Sequence, residues 1–323
     1  MLRIIADSGS TKTDWTLLAD GGEVLATCHS QGLNPYHLSE DKISRILREE
    51  VKPSLLKAGK SSLLKTGEAV EIDFYGSGVT EAMASKMERL LSEAFEGAQA
   101  HAASDMLGAA RALLGHEAGI AVILGTGSNS CYYDGEKMQQ GVPPLGYILG
   151  DEGSGTAIGK AFLRLILRNP KVVSLKEKFF AWSGMDYAAI IDRIYRQPLA
   201  NTYLASLATF VGEHLAELES GAEKLLAENG CSEESQLLSE GSQFLSEESK
   251  QELQLLSEMV KQVYLDFSRQ ILGYYEKGTV GFVGSIAYYF QKYISAALQE
   301  AGFEMGKVLR SPMEGLIQNF CKK

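Results

Sequence analysis

Residues 2–18 read LRIIADSGSTKTDWTLL, and this stretch carries the main fold signal of the chain. The apolar run Leu2 to Ala6 is typical of a buried strand, and apolar residues resume from Trp15 to Leu18. Between them, Asp7 to Thr13 is rich in glycine, serine and threonine. The pattern predicts a β-hairpin whose turn lets a ligand approach the backbone closely at Gly9.

The residue types in this turn suit a phosphate group. Successive backbone N–H groups in such a turn can surround phosphate oxygens. The hydroxyls of Ser10, Thr11 and Thr13 add donors, and Lys12 offers a positive charge. Asp7, at the end of the strand, can hold hydrated Mg²⁺, an ion that prefers oxygen ligands. The turn matches neither G-x-x-x-x-G-K-[ST] nor G-x-G-x-x-G, and an ordinary polar hairpin turn is the alternative.

A second hairpin of the same design follows much later in the chain. Gly119 to Leu124 is predicted to be a fully apolar strand, Gly125 to Ser130 a Gly/Ser/Thr turn, and Cys131 to Tyr133 the return strand of the hairpin. Two such turns suggest a duplicated fold whose halves each present a phosphate-binding turn to one cleft.

A carboxylate also precedes a predicted helix, at Ser104-Asp105 before Met106 to Leu114. From local sequence alone, an N-cap worth about 1 kcal/mol is the better interpretation of Asp105.

Two glycine-rich segments later in the chain open helices. In Gly150 to Gly155, Asp151 and Glu152 could be helix caps, but the flanking glycines suggest that a ligand approaches the backbone. After the apolar strand Thr279 to Val283, Gly284-Ser285 opens a helix that could admit the adenosine part of a nucleotide. An ordinary turn between strand and helix is equally consistent there.

Composition restricts the partners. The chain has 323 residues, 31 basic and 41 acidic, and a net charge of −10, which argues against a nucleic-acid partner and favours small molecules. Four cysteines without a CxxC pair predict free thiols in a reducing cytosol, and five histidines show no zinc-ligand spacing. The chain starts directly in a strand without a signal peptide, and no apolar run is long enough to span a bilayer. We therefore expect a cytoplasmic protein without a membrane partner.

Residues 172–277 are predicted to be mostly helical. The near-repeats SQLLSE (235–240), SQFLSE (242–247) and LQLLSE (253–258) make the segment 216–258 acidic. A solvated helical face is favoured, with a partner-binding helix as the alternative. Residues 58–69, rich in serine, lysine and glycine, predict a surface insertion.

Six motifs in order resemble the BadF/BadG/BcrA/BcrD group of the actin-like ATPase superfamily, particularly its N-acetylglucosamine kinase-like members. The resemblance covers nearly the whole chain. The motifs are ADSGSTKTDW (6–15), ASDMLGAAR (103–111), ILGTGSNS (123–130), LGDEGSGTAIG (149–159), GFVGSIAYYF (281–290) and SPMEGL (311–316).

The resemblance implies an α/β fold of two ribonuclease-H-like domains around a nucleotide cleft. The first domain would comprise residues 1–117, joined by a C-terminal helix 304–323. The second would comprise residues 118–303, enlarged by the helical insertion at about 172–277.

The resemblance also implies site residues. Asp105 matches the general base of sugar kinases, and Asp7 would hold Mg²⁺ through water. The implied nucleotide-binding residues are Ser8, Gly9, Ser10, Thr11, Lys12, Thr13, Gly125, Thr126, Gly127, Ser128, Gly284 and Ser285. The implied substrate-binding residues are Asn34 in the GLNPY loop, Asp105, Gly146 and Asp151.

The function implied is an ATP-dependent amino-sugar kinase acting on the 6-OH of N-acetylglucosamine, with glucosamine or N-acetylmuramic acid as further acceptors. One alternative is the activator ATPase of radical dehydratases, which needs cysteines near a domain-linking helix for a shared iron–sulfur cluster. The other is a non-enzymatic sugar sensor, whose related repressors carry an N-terminal helix-turn-helix domain. A homodimer is left open.

Overall fold

The structure is a computed structural model that describes residues 2–9, 11–58, 69–139, 141–228 and 245–320. In these parts of the chain the strands form two sheets, and helices cover and connect them.

The first sheet has the order β3-β2-β1-β4-β5. Its strands are β1 (Leu2–Ser8), β2 (Lys12–Leu18), β3 (Val24–Gln31), β4 (Val70–Gly76) and β5 (Gln99–Ser104). The first three are antiparallel neighbours, and β4 and β5 run parallel to β1. The hairpin predicted from residues 2–18 is confirmed.

The second sheet has the order β7-β6-β8-β9 and repeats this design. Its strands are β6 (Gly119–Leu124), β7 (Ser128–Tyr133), β8 (Thr279–Val283) and β9 (Glu304–Leu309). Strands β6 and β7 form the antiparallel hairpin, and β8 and β9 run parallel to β6. The predicted second hairpin is also confirmed.

The prediction of one C-terminal helix over 304–323 is wrong in its first part. Glu304–Leu309 is strand β9, which pairs with β8 from Thr279 to Val283 and so belongs to the second sheet. The exposed backbone groups of β8 need hydrogen-bond partners, and satisfying them outweighs a local helical preference. The C-terminal helix itself spans Pro312–Phe320, and residues 321–323 lie outside the described residues.

The first unit carries α1 (Glu40–Arg45), a π-helical stretch (Ile46–Val51), α2 (Lys52–Ala58) and α3 (Glu81–Ala94). Helix α4 (Asp105–Leu114) follows β5, and the predicted boundary at residues 117/118 falls between α4 and β6. Most of the predicted surface insertion at 58–69 lies outside the described residues.

The second unit is rich in helices, as predicted. They are α5 (Gly146–Leu149), α6 (Gly155–Arg168), α7 (Val173–Ser183), α8 (Tyr187–Tyr195), α9 (Ala200–Glu228), α10 (Glu247–Gln270), a 3-10 turn (Leu272–Tyr274), α11 (Ser285–Tyr289) and α12 (Gln291–Ala301). The C-terminal helix, α13 (Pro312–Phe320), packs mainly against α4 and β1. The repeat at 235–240 and part of that at 242–247 lie outside the described residues. No described helix combines the length and the apolar content that crossing a membrane requires.

Helices α4 and α13 join the two sheets. A buried apolar cluster includes Tyr75 of the first sheet, Val283 of the second, and residues of both helices. Close packing depends on small residues: a Cβ at Gly108 of α4 would lie 2.7 Å from the Tyr75 Cβ, and one at Gly315 of α13 would collide with the Ala112 carbonyl. Helix α4 is thereby packed closely against the first sheet and against α13, in a cluster that also includes the second sheet.

Candidate active site

The carboxyl ends of three strands of the first sheet meet at one edge. Ser8 at the end of β1 pairs with Gly76 at the end of β4, and Gly76 pairs with Ser104 at the end of β5. Asp7 lies one residue before this edge, and Asp105 one residue after it. Ligands of α/β proteins commonly bind outside the carboxyl ends of parallel strands. The predicted metal ligand and the predicted base are therefore brought to the same place.

Asp105 is not the N-cap of its helix. The cap is Ser104, whose hydroxyl oxygen accepts a hydrogen bond from the Leu107 N–H at 3.2 Å. Asp105 occupies the first helical position, where its carboxylate accepts a hydrogen bond from the Met106 N–H at 2.9 Å. The capping interpretation of Asp105 is therefore wrong, and the cap does not depend on this carboxylate.

The surroundings of Asp105 and Asp7 raise the pKa of both carboxyl groups. For Asp105 burial is the main cause, and the hydrogen bond from Met106 acts against it. For Asp7, burial and then the carboxylates of Asp105 and Asp14 raise the pKa to about 7, while Lys12 lowers it. A carboxylate with a raised pKa is a stronger base than an ordinary carboxylate, which suits a proton acceptor such as the one proposed at Asp105. The excess of negative charge also fits a divalent cation bound through oxygen ligands.

Asp14 is a member of this cluster that sequence reasoning missed. It faces Asp7 across the hairpin, lies 2.9 Å from the Lys12 ammonium and contacts the His29 Nδ1. The signal was in the sequence, because the residue numbers of each facing pair in a regular antiparallel hairpin add up to the same value. Once the turn is placed at Gly9 to Lys12, Asp14 must face Asp7.

Two hydroxyls of the first turn are engaged within the protein. The Ser8 and Thr13 hydroxyl oxygens lie 2.8 Å apart, and both side chains are buried. The Ser8 oxygen also accepts from the Leu33 N–H at 2.9 Å, and the Thr13 hydroxyl donates to the Gln31 carbonyl at 2.9 Å. These two predicted nucleotide-binding side chains therefore shape the turn and the loop that follows β3.

The exposed groups of the first turn come from Gly9, Thr11 and Lys12. The Gly9 N–H donates to the Lys12 carbonyl at 2.9 Å, and the Thr11 carbonyl accepts from the Gly32 N–H at 3.0 Å. The Thr11 hydroxyl and the Lys12 ammonium are thus the side-chain groups that the turn presents outward. Ser10 lies outside the described residues.

The second turn is fastened to the start of α6. The Gly125 N–H donates to the Gly127 carbonyl at 3.0 Å, and the Gly125 carbonyl accepts from the Gly155 N–H at 2.9 Å. The Thr126 carbonyl accepts from the Thr156 hydroxyl at 2.6 Å. The turn therefore has a conformation fixed by a neighbouring helix, as a binding turn requires.

Asp151 lies against this second turn. Its Oδ1 accepts a hydrogen bond from the Ser128 N–H at 3.2 Å, and burial raises the pKa of its carboxyl group. A Cβ at Gly127 would lie 2.8 Å from the same oxygen. The φ angle of Asp151 is 59°, a left-handed conformation that costs energy in a residue other than glycine. The fold thus holds this carboxylate in place at the expense of backbone strain.

Asn34 lies on the loop after β3, at the same edge of the first sheet as Asp7. Its Oδ1 accepts from the Tyr36 N–H at 2.9 Å, and a Cβ at Gly78 would collide with its amide. The Tyr36 hydroxyl lies 3.1 Å from the Thr80 hydroxyl, which ties this loop to the one after β4. The predicted substrate ligand is therefore held at the same sheet edge as the carboxylates.

The remaining predicted residues lie in the second unit. Gly284 has a φ angle of 123°, and a Cβ there would collide with the Leu124 carbonyl at the end of β6, where the second turn begins. Ser285 starts α11 directly after it. Gly146, with a φ angle of 70°, starts α5, and a Cβ added there would meet no atom within 4 Å.

The predicted residues thus form two groups. At the edge of the first sheet lie Asp7, Asn34, Asp105 and the first turn, and at the edge of the second sheet lie Asp151, Gly284 and the second turn. The Ser104 hydroxyl lies 3.9 Å from the Met138 sulfur, so the start of α4 reaches the second unit. Within the described ranges, no group of three or more histidine, cysteine or carboxylate side chains has the arrangement of a direct metal cage.

Two of the four cysteines lie in described parts of the chain. Cys28 is in β3 and Cys131 is in β7, and burial raises the pKa of their thiols to about 11 and about 12. The activator ATPase would need cysteines at the start of a helix that links the sheets, to bind an iron–sulfur cluster. Neither Cys28 nor Cys131 has such a position. Cys231 and Cys321 lie outside the described residues.

Comparison with known proteins adds relatives of the whole chain. No family model matches it. It is similar to a Porphyromonas gingivalis protein provisionally named an N-acetylglucosamine kinase, with 33% identity, 99% of each chain covered and a TM-score of 0.79. It is also similar to a protein with the same provisional name from Chromobacterium violaceum, with 19% identity, 98% of each chain covered and a TM-score of 0.60. A Carboxydothermus hydrogenoformans ethanolamine utilization protein follows, with 12% identity, 99% of this chain and 89% of that chain covered, and a TM-score of 0.51. The last two likenesses show the fold alone.

Proposed function

The chain belongs to the N-acetylglucosamine kinase-like, BadF/BadG-type ATPases of the actin-like superfamily and is a sugar phosphotransferase, and on this premise we propose that it transfers the γ-phosphoryl group of ATP to an amino sugar. The name of the Porphyromonas gingivalis relative supports N-acetylglucosamine as the first acceptor to test. Glucosamine and N-acetylmuramic acid are the next acceptors, and the proposed acceptor atom is the 6-OH.

The observation that carries this proposal is the placement of Asp105. Its pKa is raised by burial, it does not serve as the helix cap, and it lies at the sheet edge beside Asp7. A carboxylate that is largely withdrawn from water costs stability, and the single hydrogen bond from the Met106 N–H offsets only part of this cost, so the presence of Asp105 is better explained by chemistry.

In the proposed reaction the Asp105 carboxylate accepts the proton of the sugar hydroxyl. The hydroxyl oxygen forms a bond to the γ-phosphorus as the bond from that phosphorus to the β-phosphate oxygen breaks, which gives the sugar phosphate and ADP. Asp7 would hold Mg²⁺ through water, and the ion would supply positive charge to the phosphates. The Thr11 hydroxyl, the Lys12 ammonium and the backbone of the two turns would orient the phosphates, with Gly284 and Ser285 at the adenosine.

Asn34, Gly146 and Asp151 are the proposed sugar ligands beside Asp105. The Asn34 amide is held by its loop, and one oxygen of Asp151 is used by the Ser128 N–H. The second Asp151 oxygen is then the group that would accept a hydrogen bond from a sugar hydroxyl. Polar groups left unpaired in a closed site are costly, so each would discriminate against a sugar that lacks the matching hydroxyl.

The test is an ADP-release screen with hexoses, hexosamines, N-acetylhexosamines and muramic acid derivatives, run with the parent and with Asp105→Asn. We expect turnover that depends on an amino sugar and falls in the variant. ADP release independent of every sugar would instead support the activator ATPase. Sugar binding without ADP release would support the sensor.

A further inference from the structure

A cavity lies at the end of α4 opposite Asp105. Its volume is about 270 Å³, and its walls include Arg3, Tyr75, Arg111, Tyr133, Asn319 and Phe320. These residues come from both sheets, from α4 and from α13, so the cavity is at the junction of the two units. We call it the rear cavity. Sites for drug-sized ligands begin at roughly 300 Å³, so it suits a molecule of about monosaccharide size or smaller.

Arg111 is the cation of the rear cavity that lacks a direct ion-pair partner among the described residues. Its guanidinium donates a hydrogen bond to the Tyr75 hydroxyl at 3.0 Å, and the neighbouring Tyr133 hydroxyl acts to raise its pKa. Both phenols are buried and neutral, and they come from different sheets. Among the residues that the structure describes, no carboxylate forms an ion pair with Arg111. A half-buried guanidinium held only by phenols retains N–H donors for an anion.

The other charged groups of the rear cavity are satisfied or exposed. Arg3 pairs with Asp73 at 2.7 Å and with Glu71, and its guanidinium lies 4.2 Å from the centre of the Phe320 ring. Glu136, at the mouth, has an exposed side chain. Asp73 and Glu71 together carry one more charge than Arg3, so the groups around the rear cavity have no positive excess. An anion would therefore be held by direct hydrogen bonds from the N–H donors of Arg111, while solvent screens the exposed Glu136.

We propose that the rear cavity is a second ligand site, which binds an oxyanion (a phosphate ester or a carboxylate) carried on a molecule of monosaccharide size or smaller. Arg111 would bind the oxyanion. Asn319 and Asp73 offer hydrogen-bonding groups for hydroxyls on the same molecule, although the Asn319 amide already donates to the Arg111 carbonyl at 2.6 Å.

A ligand in the rear cavity would act on the site at the other end of α4. It would contact both sheets at once and so would favour one relative arrangement of them. We expect it to reduce turnover without competing with ATP, because Arg111 and Asp105 lie at opposite ends of one helix. This kinetic effect rests on the proposed kinase activity, whereas binding to the cavity does not.

The direct test is calorimetric titration of the full chain with N-acetylglucosamine 6-phosphate, inorganic phosphate, glucuronate and uncharged N-acetylglucosamine. We expect Arg111→Gln to lower the affinity for at least one of the charged probes by about tenfold or more, because a hydrogen bond to a charged group is lost. The affinity for the uncharged sugar should not change. The affinities for ester, free phosphate and carboxylate distinguish the possible sources of the oxyanion.

The matched control is Arg193→Gln. The Arg111 guanidinium lies 5.9 Å from the centre of the Tyr75 ring, and that of Arg193 lies 5.3 Å from the centre of the Tyr203 ring. Arg193 is on α8, away from the rear cavity. This variant should bind every probe as the parent does. Glu136→Gln removes an exposed acid at the cavity mouth and should raise the affinity for the charged probes roughly twofold to fivefold. It keeps the test decisive if Arg111→Gln is poorly folded.

Equal affinities of the parent, Arg111→Gln and Glu136→Gln for every charged probe would overturn the proposal. It would also be overturned if no charged probe bound at 10 mM, a concentration that detects binding free energies down to roughly −3 kcal/mol. If the chain binds these probes as expected but releases no ADP with any sugar, the proposed function fails and the rear site stands. If it phosphorylates a sugar and the titrations are unaffected by the variants, only the rear site fails.

Discussion

Replacing Asp105 by asparagine separates a catalytic role from a structural one. The change removes the basic carboxylate and keeps the size of the side chain. Ser104 still caps α4, because its hydroxyl, and not Asp105, accepts the Leu107 N–H. The substitution therefore alters the chemistry at this position while leaving the helix start intact.

The two expected magnitudes differ widely. General-base assistance contributes about a hundredfold to ten-thousandfold in rate, so turnover should fall by at least about two orders of magnitude. For stability, loss of the charge at the helix start costs about 0.3–1 kcal/mol. Relief from burial and from the neighbouring Asp7 acts in the opposite direction. The net change should stay within about 1 kcal/mol, or about 2 °C in melting temperature for a chain of this size.

The assay combines steady-state ADP release with an amino sugar, ATP titration by calorimetry and thermal melting. Asp105→Asn should bind ATP as the parent does and melt close to it. Ser104→Ala is the reciprocal control, because it removes the cap but keeps the carboxylate. It should lose about 1 kcal/mol of stability and keep turnover within a few-fold of the parent.

A fully active Asp105→Asn enzyme would refute the reasoning. In that case Asp105 would not be the proton acceptor, and Asp151 would be the next carboxylate to test. A variant that loses ATP binding together with turnover would also count against a specific role in proton transfer.

Further predictions concern charge and close packing. The pKa of Asp7 is raised from 3.8 to about 7, so the free energy of unfolding should fall progressively as the pH rises from about 4 to about 7 and then level off. Asp7→Asn should therefore exceed the parent in stability by up to about 4 kcal/mol at pH 8 and lose that advantage below pH 4. Mg²⁺ at pH 8 should stabilise the parent but not this variant; thermal melts with no dependence on pH or Mg²⁺ would contradict the prediction. Gly127→Ala would place a Cβ 2.8 Å from a carboxylate oxygen and should lower both the melting temperature and the ATP affinity, whereas Gly125→Ala meets no atom within 4 Å and should melt like the parent. Equal melting temperatures and an unchanged ATP titration would show that the turn does not need Gly127. Gly315→Ala, which would collide with a carbonyl of α4, should cost about 1–3 kcal/mol in denaturant unfolding. The control is Gly221→Ala on α9, where the new Cβ meets only a side chain at 3.8 Å and the free energy of unfolding should rise by up to about 1 kcal/mol. If Gly315→Ala and Gly221→Ala shifted stability in the same direction, close packing of α13 on α4 would not be what requires Gly315.

The features predicted well from sequence are those fixed by local residues. An apolar run such as Gly119 to Leu124 is a strand in any context that buries it, and the structure gives the same bounds. Ser39, a residue type that favours helix starts, caps α1 through a hydrogen bond from the Lys42 N–H at 3.4 Å. Both hairpins follow from short segments in which strand, turn and strand are adjacent.

The features that were missed depend on partners far away in the chain. Strand β9 forms because β8 lies beside it, and nothing in Glu304–Leu309 alone specifies this pairing. The hydroxyls of Ser8 and Thr13 look free in the sequence, but Gln31 and Leu33 engage them. The contact of Asp151 with the second turn likewise joins residues far apart. Such contacts result from tertiary packing, which a local pattern does not encode.

The packing of α4 restricts how this chain can change in length. One inserted residue turns the rest of an α-helix by about 100° and moves it by about 1.5 Å. An insertion between Asp105 and Gly108 would therefore remove either the carboxylate from its sheet edge or the glycine from the face of Tyr75. No side-chain substitution can restore both positions. Insertions and deletions should therefore be tolerated in surface loops long before they are tolerated within these ten residues.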